Sequence, residues 1–233
     1  MYTHSAMFYD LIYSWKDYRR EADYLLAIIQ ARVPAAKSLL DVACGTGEHL
    51  RYLTKFDRTG LDLDSELLRV ASTKLPDVRL VHSDMADFDL GSRFDVVVCL
   101  FSAIGYVVTV PKLNAAISCM ARHLSPRGVL CIEPWFTPEQ WLDSKISMRT
   151  AETEDLKVCR IFEGGQSGKT STNTLHYLVA NGGKVQYFTE FHNLGLFTQD
   201  EMRYAFENAG LTVEFDPVGV ENRGLYIGTK RHG

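Results

Sequence analysis

From Lys16 to Val33 the apolar residues Tyr18, Ala22, Leu25, Leu26, Ile28 and Ile29 recur at helical spacing, and Pro34 follows, so the pattern predicts an amphipathic helix that ends there. Short apolar runs then alternate with helical patterns. Ser38–Val42, Arg58–Leu63, Val78–His82, Phe94–Phe101 and Gly128–Glu133 read as strands, and Glu48–Phe56, Ser65–Leu75 and Lys112–Leu124 as helices. Strands separated by helices must run parallel, because a crossover is needed to return the chain to the same end of the sheet. This half therefore predicts an α/β, doubly wound sheet with helices on both faces. Its ligand crevice lies beyond the carboxyl ends of the strands.

After Pro138 the pattern changes to extended segments joined by turns: Ile146–Thr150, Lys157–Glu163, Thr170–Ala180 and Lys184–Leu194. Asn181-Gly182-Gly183 is a hairpin signal, since asparagine and glycine tolerate positive φ. Helical spacing returns over Gln199–Asn208, Gly210 caps it, and Leu211–Phe215 and Leu225–Thr229 supply further strands. The expected organisation is one unit built from residues 1–143 and 197–233, interrupted at 144–196 by an antiparallel β insertion that covers the substrate side.

A chain of 233 residues with a 46% hydrophobic and 23% charged composition is a globular protein rather than a disordered or fibrous one. Its net charge of −4 supplies no electrostatic reason to bind a polyanion, so nucleic acid is not an expected partner. The most apolar stretch, Val96 to Val110, is interrupted by Ser102, Gly105 and Thr109 and is too short to cross a bilayer. Tyr2 to Asp17 lacks the basic start and apolar core of an export signal, which places the chain in the cytoplasm with no membrane partner. Cys44, Cys99, Cys119, Cys131 and Cys159 form no C-x-x-C pair and sit mostly among apolar neighbours, an arrangement that argues for buried thiols and no metal site.

The most informative segment runs from Ser38 to Leu50: a buried strand carrying Asp41 near its end, the small-residue loop Ala43-Cys44-Gly45-Thr46-Gly47, then a helix. Gly45 and Gly47 allow a tight turn and close approach to a bound molecule. Asp62 ends the second strand, where a carboxylate can accept ribose hydroxyl protons, and Asp84 follows the third, within reach of an adenine amino group. Three acids on one rim would repel a pyrophosphate and suit a cation that carries ribose and adenine, such as S-adenosylmethionine (SAM). The dinucleotide alternative expects G-x-G-x-x-G, whereas reading from Gly45 puts Leu50 in the place of the third glycine. An NAD-dependent oxidoreductase is thus the weaker reading, and a catalytically silent binding module on the same scaffold is another.

Leu40-Asp41-Val42-Ala43-Cys44-Gly45-Thr46-Gly47, Gly60-Leu61-Asp62, Phe101-Ser102-Ala103-Ile104-Gly105-Tyr106, Glu133-Pro134-Trp135-Phe136 and Asn222-Arg223-Gly224-Leu225 occur in this order, and together they resemble class I SAM-dependent methyltransferases. Within that class they look like the N-methyltransferases acting on TDP-linked amino sugars. The resemblance runs from about Tyr9 to Gly228. It implies a Rossmann-like fold and a SAM site made by Asp41, Ala43, Gly45, Gly47, Asp62, Leu63, Asp84, Met85 and Phe101. It also implies a small-molecule substrate such as a sugar nucleotide, with Trp135 and Arg223 binding it, Arg223 at the phosphates, and Tyr13 near the reacting amine. Another small amine or hydroxyl acceptor is the alternative, because the insertion departs most from the pattern.

Methyl transfer is an in-line displacement, so the protein's main task is to hold a neutral amine lone pair about 3 to 3.5 Å from the methyl carbon. Tyr13, Tyr106, Glu133 and His192 are candidates to accept or relay the amine proton. Each has a plainer reading: the two tyrosines fill space in a core, and His192 shares a strand face with Glu190 as a structural pair. Gly164-Gly165-Gln166-Ser167-Gly168-Lys169-Thr170 is not a phosphate loop, since the glycine spacing is one short and a strand follows; it reads as a hairpin turn. The strand edges of the insertion make a homodimer the expected assembly.

Overall fold

In the computed structural model, which describes residues 5–230, the predicted alternation folds with element ends shifted by a few residues. The start of the Tyr2–Asp17 stretch lies outside the described residues. Strands β1 (Ser38–Val42), β2 (Asp57–Asp62), β3 (Arg79–His82), β4 (Phe94–Cys99) and β5 (Leu124–Ile132) pair in parallel. Strands β6 (Ile146–Glu152), β7 (Leu156–Ser167), β8 (Thr170–Asn181) and β9 (Lys184–Gly195) form an antiparallel sheet of their own. Strands β10 (Leu211–Asp216) and β11 (Leu225–Lys230) return to the first sheet, whose order is β10-β11-β5-β4-β1-β2-β3. β11 is antiparallel to both neighbours.

The chain leaves β1 toward β2 and β3, then crosses back to place β4 on the other side of β1. Strand order reverses there, and the crevice opens at the carboxyl ends of β1 and β4. Helices α1 (Tyr9–Ile12), α2 (Tyr18–Arg32), α3 (Glu48–Tyr52), α4 (Ser65–Lys74), α5 (Val110–Arg122) and α6 (Gln199–Asn208) complete the fold. Alternate strand residues face opposite layers: Leu39, Val96 and Val98 pack with Leu25 and Ile29 of α2, whereas Leu40, Val97 and Cys99 pack with Ile117 of α5 and Phe206 of α6. A third cluster joins the N-terminal segment to the insertion, with Phe8 and Ile12 against Val158, Leu175, Tyr177 and Val179.

Three differences from the sequence reading have local causes. α3 stops at Tyr52 rather than Phe56, because Leu53 and Phe56 close a turn that buries both side chains. β5 starts at Leu124, since an irregularity opposite Phe94 and Val96 absorbs residues 125–127, which the pattern leaves between a helix and a strand. Gly164 and Gly165 lie inside β7, paired with Asn173 and Thr172; the turn is confined to Gly168, at φ +59°, and Lys169. Cys44, Cys99, Cys119 and Cys131 are buried free thiols, and Cys159 is half-buried.

Candidate functional site

The β1–α3 loop turns through two glycines with different tasks. A Cβ on Gly45, at φ +56°, would meet nothing within 4 Å. A Cβ on Gly47, at φ +79°, would stand 2.5 Å from Leu75 Cδ1. Both glycines take the left-handed backbone that L side chains rarely adopt; Gly45 also leaves room for a ligand, while the tip of Leu75 fills the space beneath Gly47. The loop is tied to α1: Thr46 donates to Asp10 Oδ1 at 2.5 Å, and Lys74 bridges Asp10 and Glu48 at 2.5 and 2.6 Å. This brace carries Tyr9 to the mouth of the crevice.

A cavity of about 460 Å³ opens there, lined by Ala43, Gly45, Asp62, Leu63, Asp84, Met85, Phe101 and Tyr106 among the residues singled out in the sequence. That volume suits a small-molecule ligand. Tyr9, Asp64 and Lys112 also line it. Sequence reasoning passed over them: Tyr9 reaches the cavity only through the α1 brace, and Asp64 has an ordinary local task as the N-cap of α4, accepting from Glu66 and Leu67.

Asp62 is almost fully buried, and each of its oxygens already accepts a backbone hydrogen bond, from Gly45 N at 2.7 Å and Asp64 N at 2.8 Å. Burial pushes its carboxyl above the ordinary value, against the opposing effect of these backbone donors. Each oxygen retains a lone pair for a hydroxyl donor. Asp41 does not line the cavity; it is 2% exposed behind the loop. Burial pushes its carboxyl up to about 7, with His49 opposing and Asp62 adding to the shift. The expected rim of Asp41, Asp62 and Asp84 thus becomes two acids on the wall, Asp62 and Asp84, and one behind it.

Phe101 and Ser102 follow β4 with φ of 52° and 59°, a left-handed pair without glycine. Phe101 N donates to Glu133 Oε2 at 2.6 Å and Ser102 Oγ donates to the Pro134 carbonyl at 2.6 Å, which holds the turn. The other Glu133 oxygen accepts from Arg223 Nε at 3.1 Å and Nη2 at 2.8 Å. Arg223 also pairs with Glu221, which in turn pairs with the buried Lys16, and Lys16 reaches Glu21. Lys16 Nζ lies 4.4 Å from the Phe101 ring centroid. Burial raises the Glu133 carboxyl above its ordinary value, and Arg223 and Lys16 offset part of that rise.

This geometry corrects the expectation that Glu133 is a free proton acceptor at the rim. It is fully buried, both oxygens are engaged, and it lines no part of the cavity. Arg223, expected at a phosphate, is paired with two glutamates, yet its half-buried side chain also lines a neighbouring cleft with Trp135 and Gln140. Trp135 donates its indole N–H to Ser171 Oγ at 2.9 Å.

The Tyr13 ring packs edge-on against Phe101, with centroids 5.2 Å apart. Tyr106 Oη lies 2.9 Å from His192 Nδ1, and His192 Nε2 lies 3.8 Å from Glu190 Oε2. Glu190 accepts from Ser5 N and Oγ at 3.1 and 2.6 Å. Of the four catalytic candidates, Tyr106 alone lines the cavity; Tyr13 stands beside its Phe101 wall, and His192 reaches it through Tyr106.

Comparison with known proteins agrees with the architecture. Residues 39–128 match the methyltransferase domain family. The chain is 41% identical over 225 residues to the dTDP-3-amino-3,4,6-trideoxy-alpha-D-glucopyranose N,N-dimethyltransferase of Streptomyces venezuelae, covering 94% of this chain and 95% of that one. The crystal structure of Streptomyces venezuelae DesVI superposes with a TM-score of 0.93 at 40% identity, covering 98% of this chain and 99% of that one. SAM-bound CalS10, an amino pentose methyltransferase from Micromonospora echinaspora, superposes with a TM-score of 0.84 at 36% identity, covering 93% of this chain and 92% of that one. With a glycine-cleared loop, a ribose-competent carboxylate and full-length likeness to these enzymes, the chain belongs to the class I SAM-dependent methyltransferases, in the branch that contains the amino-sugar N,N-dimethyltransferases.

Proposed function

We propose that this enzyme methylates the amino group of a TDP-linked amino sugar, adding first one and then a second methyl group. The observation that carries the reading is the 41% identity, over nearly the whole length of both chains, to a dTDP-amino-sugar N,N-dimethyltransferase. SAM supplies an electrophilic methyl group on a sulfonium. Gly45 and Ala43 let the loop backbone approach that cofactor, Asp62 accepts its ribose hydroxyls, and Asp84 and Met85 meet its adenine. Leu63 and Phe101 wall the site, Gly47 shapes the loop from below, and Asp41 adds negative potential from behind.

Tyr13 and Tyr106 orient the amine on the Phe101 side, and His192 receives the proton through Tyr106. Glu133 fixes the left-handed Phe101 backbone and pairs with Arg223, the residue assigned to the diphosphate of the sugar nucleotide. Residues 144–196 form the unit that covers the acceptor side, and residues 1–143 with 197–233 form the cofactor unit.

The enzyme works in the cytoplasm on a small molecule, without nucleic acid or membrane. It forms a homodimer through the outer face of the insertion, where Met148, Leu178, Tyr187 and Phe191 are exposed together. Leu178→Glu should convert that dimer to a monomer in sedimentation; an unchanged dimer would rule this face out. Incubation with SAM and a TDP-3-amino sugar should give mono- and dimethylated products by mass spectrometry. No turnover over a panel of such sugars, with turnover of another amine or hydroxyl compound, would refute the acceptor assignment.

A further inference from the structure

We infer that Arg160 is a positioning residue for methyl transfer, holding the Tyr13 hydroxyl in the direction from which it meets the acceptor amine. The inference rests on the reading that Tyr13 faces the acceptor. Arg160 lies in β7, opposite Tyr177 of β8, on the face of the insertion that packs against the N-terminal segment. Its neighbours on that face of β7, Val158 and Phe162, are apolar, so an arginine here breaks the alternation that buries the strand. It is only 8% exposed, and its guanidinium carbon stands 4.9 Å from the Tyr13 ring centroid.

A buried charge is ordinarily neutralised by a partner. Lys16 and Arg223, the other cations near Phe101, each touch two glutamates. Among the described residues Arg160 has no carboxylate within 4.0 Å, and its Nη1 is buried without a hydrogen-bond partner. Its favourable neighbours are instead the phenols of Tyr13 and Tyr177. Burial works against its charge, yet these two side chains hold the guanidinium above its ordinary value.

A planar fork that donates to a phenol oxygen while lying over the ring restricts both ring rotation and hydroxyl direction. A phenol oxygen held this way can still accept a second hydrogen bond. An amine N–H donated to it turns the nitrogen lone pair toward the methyl carbon. The acceptor never has to touch Arg160, which acts through Tyr13.

A double-mutant cycle tests this. Arg160→Met, Arg160→Lys, Tyr13→Phe and each Arg160 variant combined with Tyr13→Phe are assayed for kcat, acceptor KM and affinity for S-adenosylhomocysteine. Arg160→Met should lower kcat about tenfold while acceptor KM and nucleoside affinity move less than about twofold, and Arg160→Lys should recover part of the loss. In the Tyr13→Phe background the Arg160→Met substitution should cost less than about twofold, because its route of action is gone. Equal losses in both backgrounds, or an unchanged kcat in a folded Arg160→Met protein, would overturn the inference. Should Arg160→Met not fold, Arg160→Lys in the two backgrounds supplies the same comparison. The cycle is read as ratios on any amine the wild type methylates, so a failure of the amino-sugar assignment does not alter what the ratios say about Arg160.

Discussion

Asp41 allows a quantitative test of how the site trades stability for binding. Its carboxyl is 2% exposed, and its burial places the folded-state value at about 7 against an ordinary 3.8. That displacement corresponds to about 4 kcal/mol. Because the folded value is raised, the folded state binds the proton more tightly than the unfolded chain. Asp41 therefore contributes stability below the unfolded value of 3.8 and loses it as pH rises through about 7. About 3 kcal/mol of the total is lost between about pH 5 and pH 8. Asp41→Asn, close in shape and never charged, should abolish that component.

Urea unfolding of the ligand-free protein at about pH 5 and pH 8 reads the effect as the difference between wild type and variant, which cancels the other titrating groups. The variant should be the more stable protein at the higher pH, by up to about 4 kcal/mol. The same substitution removes negative potential from behind the cofactor loop, so affinity for cationic SAM should fall more than affinity for uncharged S-adenosylhomocysteine. A variant that is no more stable than wild type at pH 8, with the same pH dependence, would refute the argument that burial raises the Asp41 carboxyl.

Asp62→Ala removes the acceptor assigned to the ribose and should weaken S-adenosylhomocysteine binding by about 1.5 to 3 kcal/mol in calorimetry. Arg223→Ala leaves the fully buried Glu133 without its ion-pair partner and should cost about 3 to 5 kcal/mol of stability in chemical denaturation, in addition to raising the acceptor KM. The loop glycines should separate by assay. Both Gly47→Ala and Gly45→Ala put a Cβ on left-handed backbone and should lower the melting temperature, Gly47→Ala the more because its Cβ must also displace Leu75 Cδ1, and Gly45→Ala should in addition weaken cofactor binding. Equal melting losses for both would contradict the division of labour in the loop.

Local pattern announced much of this molecule. The parallel strands are short apolar runs bounded by helical spacing, and β1 and α6 have the ends that the pattern predicts, because buried strands and capped helices leave signals within a few residues. The Gly45 loop, Asp62 and Asp84 were legible for a related reason: in a doubly wound sheet, the end of each parallel strand is a position that topology sends to the crevice. Gly164 and Gly165 misled, since two glycines look like a turn until a twelve-residue β8 pairs along them.

Chain order alone thus determined the layered sheet, the existence of the insertion and the edge on which the cofactor chemistry sits, because each follows from periodicity and strand direction. Side-chain partnership was decided only in three dimensions. Glu133 and Arg223 are 90 residues apart, and Tyr106 and His192 are 86 apart. The sequence shows all four as candidate chemical groups, whereas the folded chain makes the first pair a buried ion pair and joins the second by a hydrogen bond. Asp41 shows the same limit: whether an acid stands on a wall or behind it depends on tertiary packing, and its burial raises the carboxyl.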